Sequence, residues 1–517
     1  MISTKSPMMM PISRRALMSG VAAGVFAGTF GRVADAAPQR GGILRIAYPF
    51  QPTSLDPALG RQGGDFDFLY PVFETLVDWE FDTMLPKPAL ATSWTYPDST
   101  TFVLKLRENV SFSDGTPFDA TAAKFNLDRC MTHPKSTVTA ELAAVSAVEI
   151  SGPHEITLRL KRPNASMPLI LTGRAGFMAS PAAVTKSGDD FARNPVGTGP
   201  WKFTLWRDNE IVSFRRNDNY WKKGEPLPDG LDFKVIADPA TGLRSVIAGE
   251  SDFVWALSSA QKPAVDRAGL DSSIGSSQQI FLLWLNQAKG PLADVRVRQA
   301  LNYAIDRNAY NKATEGGYNE VAQGIYPKSH WAYDPTVASY YQYDPAKARA
   351  LLAAAGFPNG LDLTLTGPTD QHSTQRQEVV IEQLKQVGVR IKLTPLSVND
   401  SIKAYFYDKQ YDALLIVWGS RADPSQGFNA LFSKDSPSNP SGIEPDGFGD
   451  ALVQSQASLD LKTRAQALSK VAHIVAENAL IVPLVFDAQY SAFGKKVKGY
   501  KPTLFGRMRL DTVYLES

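Results

Sequence analysis

The sequence predicts an α/β protein built as more than one lobe, and three observations lead there. At 517 residues the chain exceeds one ordinary domain, for which ~100 to 200 residues is usual, so roughly two to four compact units are expected. Near its middle, Ile280 to Leu285 is a continuous apolar run, too short for a helix and bounded by Asn286 and Gln287. It reads as a buried strand that leaves one lobe and opens the next. Before it the pattern is one of hairpins, and after it helix and strand units alternate.

The N-terminus reads as a targeting segment. Ser13, Arg14, Arg15, Ala16 and Leu17 form a twin-arginine pattern, followed by a weakly apolar stretch to Phe30 and a cleavage-like Ala34, Asp35, Ala36. A membrane span needs ~20 apolar residues, and Gly20, Gly24, Gly28 and Gly31 interrupt this one. Residues 1–36 are therefore expected to be an export signal. They hold Lys5, Arg14, Arg15 and Arg32 against Asp35, out of 54 basic and 52 acidic residues, so the rest of the chain lies near minus one. A nucleic-acid binder should show a basic excess, and none remains. Cys130 is the only cysteine: it permits no internal disulfide and lies too far from the cleavage site to carry a lipid at a mature N-terminus.

Taken in order, Gly42 to Tyr48 alternates as a strand and runs into a turn-rich loop, Phe50 to Leu59, holding Gln51, Thr53, Ser54 and Asp56. Tyr70, Phe73, Leu76 and Val77 give a short helical face. Thr101 to Leu106 and Val110 to Phe112 are hairpin strands. Asp114, Gly115, Thr116 and Pro117 then make a tight turn before an Ala-rich helix through Cys130. Asn194 to Trp221 returns to long alternating strands. Gly197, Thr198 and Gly199 are no dinucleotide loop, because Lys202 stands where the third glycine belongs and strands follow. Leu231 to Ile236 is a strand and Ala240 to Ile247 a short helix.

After the central strand, Asp294 caps a helix whose Val297, Ala300, Leu301, Ala304 and Ile305 face the core. Asp344 caps another, with Pro345 at its first position, a buried stripe of Ala348, Leu351, Leu352 and Ala355, and Gly356 closing it. Leu361 to Thr366 and Val389 to Leu393 are strands flanking a helix from Glu378 to Val387, an alternation that implies parallel pairing. Ala413 to Trp418 is apolar throughout, as expected of a strand covered on both faces. Leu461 to Ala479 is a long helix with Ala465, Leu468, Ala472 and Val475 on one side, and Leu480 to Phe486 leads back out.

Several of these segments carry a resemblance. LWLNQAKGPLADVRVRQALNYAIDR, PTSLDPA, TFVLKLRENVSFSDGTPFDA, GTGPW and RNDNYW resemble, in order, the extracytoplasmic solute-binding proteins, family 5, of peptide, opine and nickel ABC transporters. The resemblance implies a periplasmic binding protein type II-like fold: two lobes with a hinge plus an inserted extra domain. Domain I is then 37–80 with 194–282 and 487–517, domain II the insertion 81–193, and domain III 283–486. It implies a soluble periplasmic monomer, exported by the twin-arginine route and not lipid-anchored. Such a protein captures a small solute, peptide-like or another organic compound and an acidic one among them, and delivers it to the permease subunits of an ABC importer. The alternative is a solute-binding sensor subunit for a membrane receptor.

No covalent chemistry is expected. The sequence has no GxSxG elbow, HExxH or GxxxxGK loop, and its five histidines are scattered, so no enzyme activity, cofactor or metal site is predicted. In the resembled family the loop after the first strand faces the ligand, which makes Gln51, Thr53, Ser54 and Tyr70 candidates, and the central segment runs beside the hinge, which adds Trp284 and Asn286. Read as residues alone, those last two are a core Trp and a strand-ending Asn. Ligands bind where buried strands end, so Trp418, Ser420, Arg421 and Asp423 complete the set. The family's acidic partner for a peptide amino terminus should precede the Asp423, Pro424 pair, yet Ser420 holds that position and Arg421 follows it. Arg421 is expected to pair a carboxylate of the solute, with Trp418 and Trp284 as walls.

Overall fold

Alternation in the first strand, Ile43–Tyr48, sends Leu44, Ile46 and Tyr48 into an apolar core and lays down the centre of a seven-stranded sheet. The computed structural model describes residues 40–60, 62–419 and 421–516, so the expected export signal lies outside the described residues. Across that sheet the order is Asp271–Gly275, Gln489–Phe493, Phe253–Val254, Ile43–Tyr48, Gly230–Val235, Ile211–Arg216 and Trp201–Arg207. Ile43–Tyr48 pairs parallel to both neighbours.

The hairpin region makes a separate four-stranded antiparallel sheet of Ala91–Asp98, Thr101–Leu106, Glu155–Leu160 and Val145–Gly152, with its own core. The turn before its helix, Ala120–Thr132, is built as read: Gly115 has φ +88°, and Thr116 N donates to Asp114 Oδ1 at 3.0 Å. Val110 to Phe112 forms only a bridge from Ser111 to Pro117, because the reversal is too tight to leave room for a ladder.

A six-stranded sheet takes the order Glu320–Val321, Ile481–Phe486, Gln279–Leu285, Ala413–Gly419, Leu361–Pro368 and Val389–Leu396. Its pairing is mixed. Leu361–Pro368 is parallel to both of its neighbours, but Gln279–Leu285 runs antiparallel to Ala413–Gly419 and Ile481–Phe486. It enters directly from the other sheet rather than through a crossover helix, so nothing forces it parallel. Its alternate side chains serve two cores: Phe281, Leu283 and Leu285 on one face, and Ile280, Leu282 and Trp284 on the other.

Two helix readings shift. The expected face Tyr70 to Val77 is a helix only over Asp65–Val72. Beyond it Leu76 N donates to Gly176 O at 2.8 Å and Val77 N to Leu171 O at 3.3 Å, so tertiary partners draw the backbone into the strand Val77–Trp79. In Leu461–Glu477 the buried face is Arg464, Leu468, Val471 and Val475, with Ala465 and Ala472 only half-buried, because burying Arg464 rotates the helix.

The chain crosses between the large sheets at 276–278 and 487–488, and these crossings are bonded to each other: Ser277 Oγ donates to Asp487 O at 2.6 Å and Asp487 N to Gln279 O at 2.7 Å. Beneath them lies a charged network. Arg376 Nε donates to Glu315 Oε1 at 2.6 Å and Nη2 to Asp487 Oδ1 at 2.6 Å. His372 Nε2 lies 3.0 Å from Glu315 Oε1, and Asn319 Nδ2 donates to Asp487 Oδ1 at 3.4 Å. Burial opposes the charge on Glu315, but the His372 hydrogen bond and Arg376 win and hold its carboxyl at about 2.

Arg376→Met unpairs the buried Glu315 carboxylate and the half-buried Asp487 and is expected to cost about 3–5 kcal/mol of stability, read as a lower urea midpoint. Because the folded carboxyl of Glu315 lies below its unfolded value of about 4.3, its contribution is complete above that pH and is lost as pH falls toward 2; a wild-type urea series between pH 6 and 2 should show the loss, and the same series on Glu315→Gln should be flatter.

Candidate functional site

The register places the end of the buried strand beside the hinge. Gln279, the first residue after the crossing, pairs with Gly419, the last of Ala413–Gly419. On the other sheet Gln489 follows the second crossing, and the loop after Tyr48 opens at that same end. Between them converge a loop of the first lobe, the tail of the chain and a segment of the inserted sheet.

Arginines dominate that convergence. Arg507 Nη2 lies against Gly63, where a Cβ would sit 2.1 Å away, and 3.8 Å from a Cβ placed on Gly419, so it stands between the two lobes. Its Nε is buried without a hydrogen-bond partner among the described residues. Arg174, from the inserted segment, pairs with Asp65 Oδ2 at 3.1 Å, donates to Gln62 O, and lies 4.9 Å from the Phe66 ring centroid. Its Nη1 fits against Gly60, where a Cβ would be 2.1 Å away, and is also unpartnered. Burial depresses the Arg174 guanidinium, with Asp65 opposing. Phe66 packs edge-on to Phe505 at 5.8 Å and near Phe177 at 6.0 Å, giving the cleft an aromatic wall. Below it Tyr48 OH donates to Asp67, which also accepts from Met508 N at 2.7 Å; burial raises the Asp67 carboxyl to about 6.

The expected site residues divide. Thr53 lies here: its N and Oγ1 donate to Asp65 at 2.7 and 2.8 Å, fixing the carboxylate that holds Arg174. Tyr70 backs the aromatic wall, with the Arg509 guanidinium 4.5 Å from its ring, and burial raises its phenol. Arg421 is exposed on the loop beyond Gly419, and Ser420 lies outside the described residues. Ser54 accepts from Asp56 N at 3.0 Å and serves its own turn. Gln51 Oε1 accepts from Asn209 N at 2.8 Å, tying the loop to a neighbouring hairpin.

Four expectations are corrected in whole or part. Asn286 stands at the opposite end of its strand from Gln279, where its Oδ1 accepts from Ala288 N at 3.2 Å and closes a turn. Trp284 and Trp418 share the packed face with Tyr326 and Phe428 and are core side chains rather than cleft walls. Asp423 is wholly buried: Arg464 Nη2 donates to its Oδ2 at 2.8 Å, Ser166 Oγ to its Oδ1 at 2.8 Å and Ser425 N to its Oδ1 at 3.0 Å. Burial pushes its carboxyl up, but Arg464 and the Ser425 hydroxyl hold it below its usual range. It caps the helix Pro424–Phe432 and clasps the inserted segment at Ser166, so it is a buried fastener rather than a solute contact.

Sequence reasoning missed Arg174, Arg507 and Phe66. Arg174 had a signal, as the single charge in the apolar stretch Ser166 to Ser180, where a buried cation demands a partner. Arg507 had none.

Comparison with known proteins gives a consistent picture. Residues 86–439 match the family described as bacterial extracellular solute-binding proteins, family 5 Middle. The glutathione-binding protein GsiB of Escherichia coli is 29% identical over 441 residues, covering 80% of this chain and 83% of that protein. Among solved structures, the periplasmic binding protein DppA of Helicobacter pylori in complex with the peptide STSA superposes with a TM-score of 0.80 at 24% identity, over 93% of this chain and 99% of that one. The binding protein AgaA of Agrobacterium tumefaciens in complex with agropinic acid gives a TM-score of 0.78 at 23% identity, over 92% and 99%.

The clasp is testable apart from any ligand. Asp423→Asn removes the charge facing Arg464 and is expected to cost about 3 kcal/mol or more, lowering the thermal midpoint. Since the folded carboxyl lies below its unfolded value, the wild-type advantage should be present above about pH 4 and fade as pH falls below it; equal midpoints for the two proteins at pH 7 would rule the clasp out.

Proposed function

The chain belongs to the bacterial extracellular solute-binding proteins, family 5, and from that premise we propose that it captures a small carboxylate-bearing, peptide-like solute in the periplasm. As in its family, it binds a solute and works with the permease components of an ABC importer; it is a binding protein and not an enzyme. The observation that carries the proposed solute class is the half-buried Arg507 between the lobes, whose enclosed Nε has no hydrogen-bond partner among the described residues. Arg174 lies beside it, and Arg421 rises from the opposing lobe.

A planar guanidinium holds a carboxylate by two parallel bonds, and in a cleft closed to water such bonds are worth more than at a surface. Phe66 and Phe505 supply apolar surface for the rest of the solute. Closure follows if the solute touches Arg507 and Arg421 together, because a ligand shifts an open and closed equilibrium only by contacts improved in the closed state. The ligands named for GsiB and AgaA, glutathione and agropinic acid, both carry carboxylates, and this supports the same class here. The proposal includes export of a monomer by the twin-arginine signal. It also includes the division into domain I (37–80, 194–282, 487–517), domain II (81–193) and domain III (283–486).

A thermal-shift screen against a broad nutrient library tests the proposal, since a ligand at about a hundred times its dissociation constant stabilises by about 2.7 kcal/mol. Acidic peptides and conjugates are expected among the hits. With any hit, Arg421→Ala should weaken binding by about 2 kcal/mol, roughly thirtyfold, measured by titration calorimetry; an unchanged affinity would remove Arg421 from the site.

A further inference from the structure

The final lobe holds a cavity of about 320 Å³, and every residue lining it lies between Asn308 and Phe486, none in the first lobe or the inserted segment. Five elements supply its apolar walls. Ile325 follows the strand Glu320–Val321, Val337 opens the turn Val337–Ser339, Phe428 lies on the helix Pro424–Phe432, Ala472 on the helix Leu461–Glu477, and Phe486 ends the strand Ile481–Phe486. A narrower recess of about 30 Å³ continues from it, with Gln323, Ile325, Val337, Phe428 and Ala472 lining both.

One enclosed side-chain polar atom on this lining has no partner among the described residues: Gln323 Oε1. Its neighbours are bonded. Glu320 accepts from Lys328 N at 2.8 Å and from Ser276 Oγ at 2.9 Å, and Asp334 accepts from Thr336 N at 2.8 Å and from Ser469 Oγ. The hydroxyls of Tyr326 and Tyr341 donate to Pro424 O and Ala476 O. Gln323 is therefore an acceptor set where the cavity meets its recess, with apolar side chains around it.

An unmet enclosed acceptor costs about 1–3 kcal/mol, and apolar walls hold water poorly. A molecule that brings one donor to Gln323 and rings to those walls gains on both counts. A cavity of about 150 Å³ admits benzene, so this one has room for two fused rings. A charged donor is disfavoured, because Ile325, Phe428 and Phe486 would strip its water while Glu320 and Asp334 already hold donors of their own.

We propose that the final lobe carries a second ligand site, apart from the interlobe cleft, for an uncharged aromatic molecule of one or two rings with a single N–H or O–H donor. A phenol or an indole is the class: the donor rests on Gln323 Oε1 and the rings lie among Ile325, Val337, Phe428 and Phe486. The site is independent of solute capture, since Arg174, Arg421, Arg507 and Phe66 take no part in it.

Calorimetric titration of the whole chain with indole and phenol, each beside its donor-free counterpart, N-methylindole and anisole, tests the assignment. Indole and phenol are expected to bind at least about fivefold tighter than the counterparts, the loss of one neutral hydrogen bond. Gln323→Leu should bring each pair to within about twofold. Ala472→Phe, which grows a ring into the cavity, should weaken indole by about tenfold or more while melting no lower than the wild type. A wild type that binds neither probe, or binds the methylated forms as tightly, would overturn the proposal. Unchanged indole affinity in an Ala472→Phe protein that melts like the wild type would place the rings elsewhere and overturn it too. If Ala472→Phe melts lower, Gln323→Leu decides alone, and a donor preference that survives it overturns the site. None of the four probes carries a carboxylate, so each of these failures leaves solute capture standing.

Discussion

Removing charge from water without pairing it is the constraint on which this structure turns. At the hinge, Arg376 sits between Glu315 and Asp487, so the two crossings of the chain are fastened to the final lobe by ionic bonds that would be costly to leave half-made. Placing Asp487 on one crossing and Ser277 on the other makes both strands answer to the same network. The lobes can then turn about a short, well-defined axis rather than flex along a loose linker.

The same constraint, relaxed, describes the cleft. Fully paired charges such as Asp423 with Arg464 have nothing left to offer and act as fasteners. Arg174 is buried and Arg507 half-buried, and each has an enclosed nitrogen unmet among the described residues. A solute-binding surface needs that kind of deficit, because contacts unmade in the empty protein are the ones a ligand can supply.

Much of this was legible in the sequence because local rules and tertiary structure agreed. Ile280 to Leu285 read as a buried strand and is one, with its alternate residues in two cores. The caps at Asp294 and Asp344 each accept the expected amide. What failed depended on partners far away in sequence. The helix after Tyr70 stopped early because Gly176 and Leu171, about a hundred residues on, claimed its backbone. Trp418 and Asp423 sat at the end of a strand aimed at the hinge, but which face each side chain takes, and that Arg464 and Ser166 would claim the carboxylate, no periodicity encodes. Arg507 reaches the cleft only because Gly63 leaves room for it, a fit written in neither residue alone.

The clasp at Ser166 has a mechanical corollary. The inserted segment grips the first lobe through the buried ionic bonds of Arg174 to Asp65 and Arg129 to Asp56, and the final lobe through single hydrogen bonds in which its own partner is neutral: Ser166 Oγ to Asp423, Arg464 Nη1 to Ala165 O at 3.3 Å, and Ala165 N to Gln456 O at 2.8 Å. If the jaws part, one grip must yield. Each of these hydrogen bonds is worth about 1 to 3 kcal/mol, less than the about 3–5 kcal/mol lost when a buried ion pair is half-broken. The seam with the final lobe therefore unzips first, and the inserted sheet rides with the first lobe as a single rigid jaw.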